Sequence, residues 1–231
     1  MRFIALLRKE LREAMPWILL ACLVVLAVGI LAIRSQAIAG FHTWRFNQMQ
    51  PGETVSSYVL TTHSVLHAPA VWLMGTALTL GLILAVRQFA VPFFTHTWPF
   101  LLHRSVNRST VLAAKLAVAA LALLGCLGAV WVILYEYACQ SGLFPAPPPK
   151  RIFIDGWLFL LLAIIAYLGA ALSALSTSRW YTTRIFGLAA AALVLLLAMG
   201  PIHRPQVLLI TVLGGVLLLS QTIYVFLTRE F

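Results

Sequence analysis

"WLFLLLAIIAYLGAALSALST" (residues 157–177) runs for 21 residues without a charged side chain. Roughly 20 apolar residues, at a rise of ~1.5 Å each, span the ~30 Å hydrocarbon layer of a bilayer. A helix is the form that satisfies every backbone polar group without water. The segment therefore reads as a transmembrane helix. Ala163, Ala166, Ala170, Ser173 and Thr177 recur along one face of it, with Gly169 alongside. Small residues let helices approach closely in lipid, where hydrophobicity gives no drive to associate. That stripe is the expected packing face, against a helix of the same chain or of a second copy.

Working outward, five more stretches are apolar enough to span: 16–33, 70–91, 111–135, 185–200 and 207–227. The fifth in chain order (185–200) is short, and only "PIHRPQ" (201–206) separates it from the sixth, so the two form a tight hairpin. The whole 231-residue chain is 62% hydrophobic and 10% charged, where a soluble domain carries about 25% charged residues. The expected fold is an all-α integral membrane protein of six transmembrane helices. A net charge of +10 also suits nucleic acid, but no soluble segment is long enough for a binding domain. The first apolar run is too long for a cleavable signal peptide, and "IRSQAIAG" (33–40) after it is a weak cleavage site.

Positive charge sets the orientation. With the N-terminus cytoplasmic, eleven of the 16 Lys and Arg residues fall on the inner side. Arg34, Arg45, Lys150, Arg151 and Arg204 fall outside. The bias favours both termini in the cytoplasm. Cys22 and Cys126 lie inside spans and Cys139 stands alone near the outer surface, so no outer disulfide is expected.

Ahead of the first span, residues 1–15 read as an amphipathic interfacial elbow helix. Ile4, Leu7, Leu11 and Ala14 share one face; Arg8, Lys9 and Arg12 occupy the opposite face, toward anionic headgroups. Pro16 is the expected turn into the bilayer, opening the transmembrane domain 16–231. The external loops are 34–69 and 136–156. The first holds Phe41, Trp44 and Phe46, suited to a membrane surface, and His63 and His67 at i, i+4 spacing. A metal there would need Glu53 or His42 to fold back, so a solvated cap helix is the expectation and no metal is assigned. The second holds the proline-rich strap "QSGLFPAPPPKR" (140–151).

No Asp, Glu, Lys, Arg or His sits in the middle of any of the six stretches, which argues against a proton- or ion-coupled carrier. All six histidines fall in loops, which argues against a haem-binding bundle. No serine–histidine pair, aspartate pair or zinc motif for intramembrane proteolysis is present. There is no G-x-x-x-x-G-K-[ST] loop and no Gly-Lys pair at all, so a nucleotide would bind elsewhere. The chain is read as a non-enzyme without a cofactor of its own. Thr76, Thr79, Thr211, Ser220, Gln221 and Thr222 either line a pathway or bond to their own helix backbones.

The cytoplasmic connector 92–110 is left to explain. Its core, with the start of the third span, is "TWPFLLHRSVNRSTVLAAKL" (97–116). Pro99 interrupts the helix descending from the second span. Trp98, Phe100, Leu101 and Leu102 then form an apolar knob rimmed by Arg104 and Arg108, which suits a groove on a soluble partner. Asn107 can cap the third span. In topology over the whole chain, and in "TWPFLL", "SVNR" and Lys115, the sequence resembles the permease subunits of ABC exporters of the ABCA and ABCG type. Those carry an elbow helix, six spans and a connector with an acidic stretch, Gly-Thr, a Leu pair, "LPVSR" and a lysine opening the third span. Here "FFTHTW" (93–98) replaces the acidic stretch, Ser105 the proline and Asn107 the serine. The resemblance implies a dimer of permease chains in a bacterial cytoplasmic (inner) membrane. It also implies separate ATPase subunits that hold ATP and Mg2+ and dock on Thr97, Trp98, Phe100, Leu101, Leu102, Arg104 and Arg108. The other reading is a non-transporting structural subunit of a larger membrane complex.

Overall fold

The computed structural model describes residues 2–47, 66–95, 107–140, 143–144, 148–176, 185–199 and 204–228. Among them there is no strand. Helix α1 is Arg2–Asn47. Helix α2 begins as His67–Ala85, widens to one extra residue per turn over Val86–Ala90, and closes as Val91–Phe94. Helix α3 begins as Arg108–Ala120, widens over Leu121–Cys126, and ends as Leu127–Ala138. Then come α4 (Lys150–Leu175), α5 (Phe186–Met199) and α6 (Arg204–Thr228). All but α5 contain a stretch long and apolar enough to cross a membrane. At ~1.5 Å per residue the 14-residue α5 reaches only about 21 Å.

Helix α4 supplies the axis of the bundle. Of the most apolar part of α4, 78% is buried, against 22% for α1 and 28% for α6. Helices α2, α5 and α6 pack around α4, and α1 lies against α2 and α3. The outward faces remain apolar: Leu23, Leu31, Leu196, Leu213 and Leu217 are all exposed, as lipid-facing positions require.

Two polar links align α1 with α3. Lys115 Nζ donates to Glu10 Oε1 at 2.8 Å, and Arg34 Nε donates to the Tyr137 hydroxyl at 3.1 Å. The links are 24 residues apart on α1 and 22 on α3, so the helices run parallel over about 33–36 Å. At the Arg34 end, the Trp131 indole donates to the Phe153 carbonyl at 3.1 Å and the Tyr135 hydroxyl to that of Pro148 at 3.1 Å. These bonds latch α3 to the start of α4. Arg204 pairs with Asp155 at 2.7 Å and ties α6 to the same end.

The structure departs from the sequence reading at three boundaries. The helix does not break at Pro16: α1 runs through it. Ala14, Ile18, Val25 and Ile33 form one buried stripe on both sides of the proline. Packing along that stripe outweighs the roughly 3 kcal/mol that an interior proline costs. Residues 34–47, expected in an external loop, continue α1. Residues 150–156 likewise begin α4 rather than belonging to a loop.

Candidate functional site

At the end of the bundle where α1 begins, side chains from five helices converge. Lys115 lies two turns into α3, on the same face as Val111, Leu112, Val118 and Ala119, all buried. Its helix therefore carries it inward. Its side chain is 2% exposed and that of its partner Glu10 is 12% exposed. The ammonium also stands 5.8 Å from the centroid of the Phe89 ring, within reach of a cation–π attraction. An ion pair this deep is costly to desolvate and persists only with good geometry and further partners; the 2.8 Å bond and the aromatic face supply both.

Phe89 is itself fully buried and joins the pair to the rest of the bundle. Its ring centroid is 6.3 Å from that of Tyr167 on α4 and 6.5 Å from that of Phe226 on α6. Beside it, the Tyr167 hydroxyl donates to Gln88 Oε1 at 2.6 Å. Gln88 Nε2 is buried with no hydrogen-bond partner among the described residues. Gln88 and Phe89 both lie in the widened turn Val86–Ala90. Such turns insert one residue into a helix and often accompany function. Here the extra residue lets a polar and an aromatic side chain point inward consecutively. Between α1 and α2 a cleft of about 910 Å³ opens beside this cluster, walled in part by Trp17, Leu82 and Val91.

The residues singled out from sequence fall into separate places. Thr97, Trp98, Phe100, Leu101, Leu102 and Arg104 lie outside the described residues. Arg108 is the first residue of α3 and half-buried. Asn107 caps that helix, its side chain accepting from Ser109 N at 3.4 Å. Arg8, Lys9 and Arg12 are exposed on α1, and Lys9 pairs loosely with Glu13 at 3.9 Å. Ala163, Ala166, Ala170 and Ser173 are buried. Gly81 of α2 sits so close that an added Cβ would be 2.9 Å from the Ala163 carbonyl oxygen. At the other end of the stripe, Ser173 Oγ accepts from Leu188 N at 2.9 Å. A Cβ on Gly187 would come within 2.5 Å of the Gly169 carbonyl oxygen. The stripe thus serves α2 and α5 of the same chain.

Thr76, Thr79, Thr211, Ser220 and Thr222 each donate to a carbonyl three or four residues back in their own helix. Of the two histidines at i, i+4 spacing, His63 lies outside the described residues and His67 opens α2. Glu53 is also outside, and His42 falls within α1. Among the described residues no cluster of three metal-ligating side chains occurs. The three cysteines are free.

The ion pair and the Gln88–Tyr167 bond are what sequence reasoning missed. The signal was present as two complementary exceptions. Glu10 stands among Leu7, Leu11 and Ala14, the only acid on the apolar face of that segment. Lys115 likewise interrupts the apolar face of α3. Each looks like a flanking charge until the two are brought together. No family model, curated protein or solved structure matches the chain.

Proposed function

We propose that the chain is the transmembrane permease subunit of an ATP-driven ABC exporter. In this reading two permease chains form the translocation pathway, and separate ATPase subunits, which hold ATP and Mg2+, drive it through the 97–108 connector. Helix α5 serves as a sixth, short span. Both termini and the connector lie on the cytoplasmic side, where the Arg8, Lys9 and Arg12 face of α1 meets anionic headgroups. The membrane is a bacterial cytoplasmic membrane.

The observation that supports this reading is where the connector's two ends go. Helix α2 ends at Phe94, five residues beyond Phe89, and α3 begins at Arg108, seven residues before Lys115. Gln88, Phe89 and Lys115 meet Glu10 of α1, Tyr167 of α4 and Phe226 of α6. A displacement of the connector therefore reaches every long helix through one buried cluster. Packed interiors respond to such a load by switching between discrete arrangements rather than by yielding smoothly. The widened turns at Val86–Ala90 and Leu121–Cys126 are places where a helix can change register at low cost, because they already depart from regular bonding.

The test is co-purification of a tagged chain with its ATPase, in wild type and in Trp98→Ala and Phe100→Ala. Removing an aromatic anchor at a hot spot costs ~2–4 kcal/mol, or about 30-fold or more in affinity. Both variants are expected to release the ATPase, or to uncouple its hydrolysis from transport, while remaining inserted and monodisperse. Arg104→Ala is expected to do less, with an effect that shrinks as salt rises. Retention of a stoichiometric, coupled ATPase by both aromatic variants would refute the docking role of the connector.

A further inference from the structure

We infer that the cleft between α1 and α2 is a binding site for one anionic phospholipid. The inference rests on membrane residence and not on the transport reading. At about 910 Å³ the cleft lies at the upper end of the ~300–1,000 Å³ range of small-molecule sites. Its lining combines two chemistries. Trp17, Leu82, Val86 and Val91 contribute to it, and all four are exposed large hydrophobic residues that lipid tails can cover.

Much of the remaining lining is charged. Lys9, Arg87 and Lys115 contribute to it with Glu10 and Glu13. Lys115 is satisfied by Glu10, and Lys9 faces Glu13 at 3.9 Å. Arg87 makes no ion pair among the described residues, so a single positive charge is left uncompensated. That balance matches one phosphodiester. It disfavours a zwitterionic headgroup, whose ammonium would be brought up to Lys9 and Arg87. Gln88 also lines the cleft, and its Nε2 is the one side-chain donor among the described residues that is buried without an acceptor. A headgroup oxygen at the floor of the cleft would provide one. Basic pockets between spans are where anionic headgroups bind. The indole of Trp17 at the rim suits the boundary between headgroup and tail.

The experiment is native mass spectrometry of the full chain in mild detergent, titrated with phosphatidylglycerol or phosphatidylcholine. Wild type is expected to retain one phosphatidylglycerol about tenfold more tightly than phosphatidylcholine, from two basic side chains acting at one headgroup. The double variant Lys9→Gln/Arg87→Gln is expected to lose that preference. Arg87→Lys, which keeps the charge, is expected to retain most of it. Arg151→Gln, on α4 and outside the cleft lining, is expected to leave it unchanged. The proposal is overturned if the two lipids bind wild type equally. It is also overturned if the folded double variant keeps the preference, or if excess inorganic phosphate displaces the lipid, since that would mark an anion site with no use for the tails.

Discussion

Breaking the Glu10–Lys115 pair from either side should give unequal losses, and removing both partners should restore most of the stability. The inequality follows from depth. In Glu10→Leu the Lys115 ammonium, 2% exposed, loses the carboxylate it donates to at 2.8 Å. Stranding a buried charge in this way costs about 3–5 kcal/mol. In Lys115→Met the stem volume is kept and Glu10 is left alone, but at 12% exposure it sits closer to the surface. An unpaired group there costs about 1–3 kcal/mol. The double variant Glu10→Leu/Lys115→Met buries no charge, and apolar replacement of a buried pair is commonly neutral to within about 1–2 kcal/mol. The coupling energy is then at least about 2 kcal/mol, well above the ~0.5 kcal/mol scatter expected of independent sites. Unfolding by sodium dodecyl sulfate in mixed micelles, followed by tryptophan fluorescence, measures all four corners of the cycle. If the double variant is as unstable as the two single losses added together, the pair is not a coupled unit. If Glu10→Leu costs less than about 1 kcal/mol, the lysine has found water and the cluster is not dry.

Tyr167→Phe removes the donor to Gln88 Oε1 and leaves a second unpaired polar atom on the same amide. It is expected to destabilise by about 1–3 kcal/mol, and adding Gln88→Met is expected to recover most of that in the same unfolding assay. Gly187→Val drives a side chain into the Gly169 carbonyl and Ser173 Oγ. Hydrogen exchange should then show the Leu188 amide, which donates to Ser173, losing protection. Gly75→Ala is the matched control, because a Cβ there meets open space and should be neutral or stabilising by up to ~1 kcal/mol.

The long apolar runs were legible because the bilayer imposes a single requirement on them, length without charge. The runs at 70–91, 111–135 and 207–227, and residues 157–175 of the fourth run, all lie within long helices of the structure. Boundaries were less legible because they depend on what lies alongside. Pro16 has the local chemistry of a break, yet the buried stripe from Ala14 to Ile33 holds the helix together across it. Leu121–Cys126 has no proline to announce it, and the local cue at Val86–Ala90 is Pro92 two residues beyond it, whose ring and missing N–H disturb bonding to the Gln88 carbonyl. Val86–Ala90 contains no glycine, and the Gly125 of Leu121–Cys126 is unremarkable among 14 glycines. A local sequence window carries no term for the inward demand that Gln88 and Phe89 meet.

The same reasoning explains why the site was harder to see than the fold. A lysine near the start of a span is ordinarily read as a snorkelling flank, its stem along the lipid and its charge in the headgroups. That reading needs only the position of the residue in the sequence. Whether Lys115 snorkels or turns inward depends on which face of α3 it occupies and on what stands 105 positions earlier in the chain. Helix phase supplies the first fact: Lys115 is in register with Val111, Leu112, Val118 and Ala119. Only tertiary structure supplies the second. An uncompensated lysine on the buried face would be expelled or would break the helix packing. Its presence there therefore requires an acid, and Glu10 is the acid that the parallel run of α1 and α3 brings level with it. The pair in turn fixes the register of those two helices at one end, as Arg34 and Tyr137 fix it at the other. A residue whose charge could be met by lipid on its own helix is instead used to hold α1, α2 and α3 at a common level.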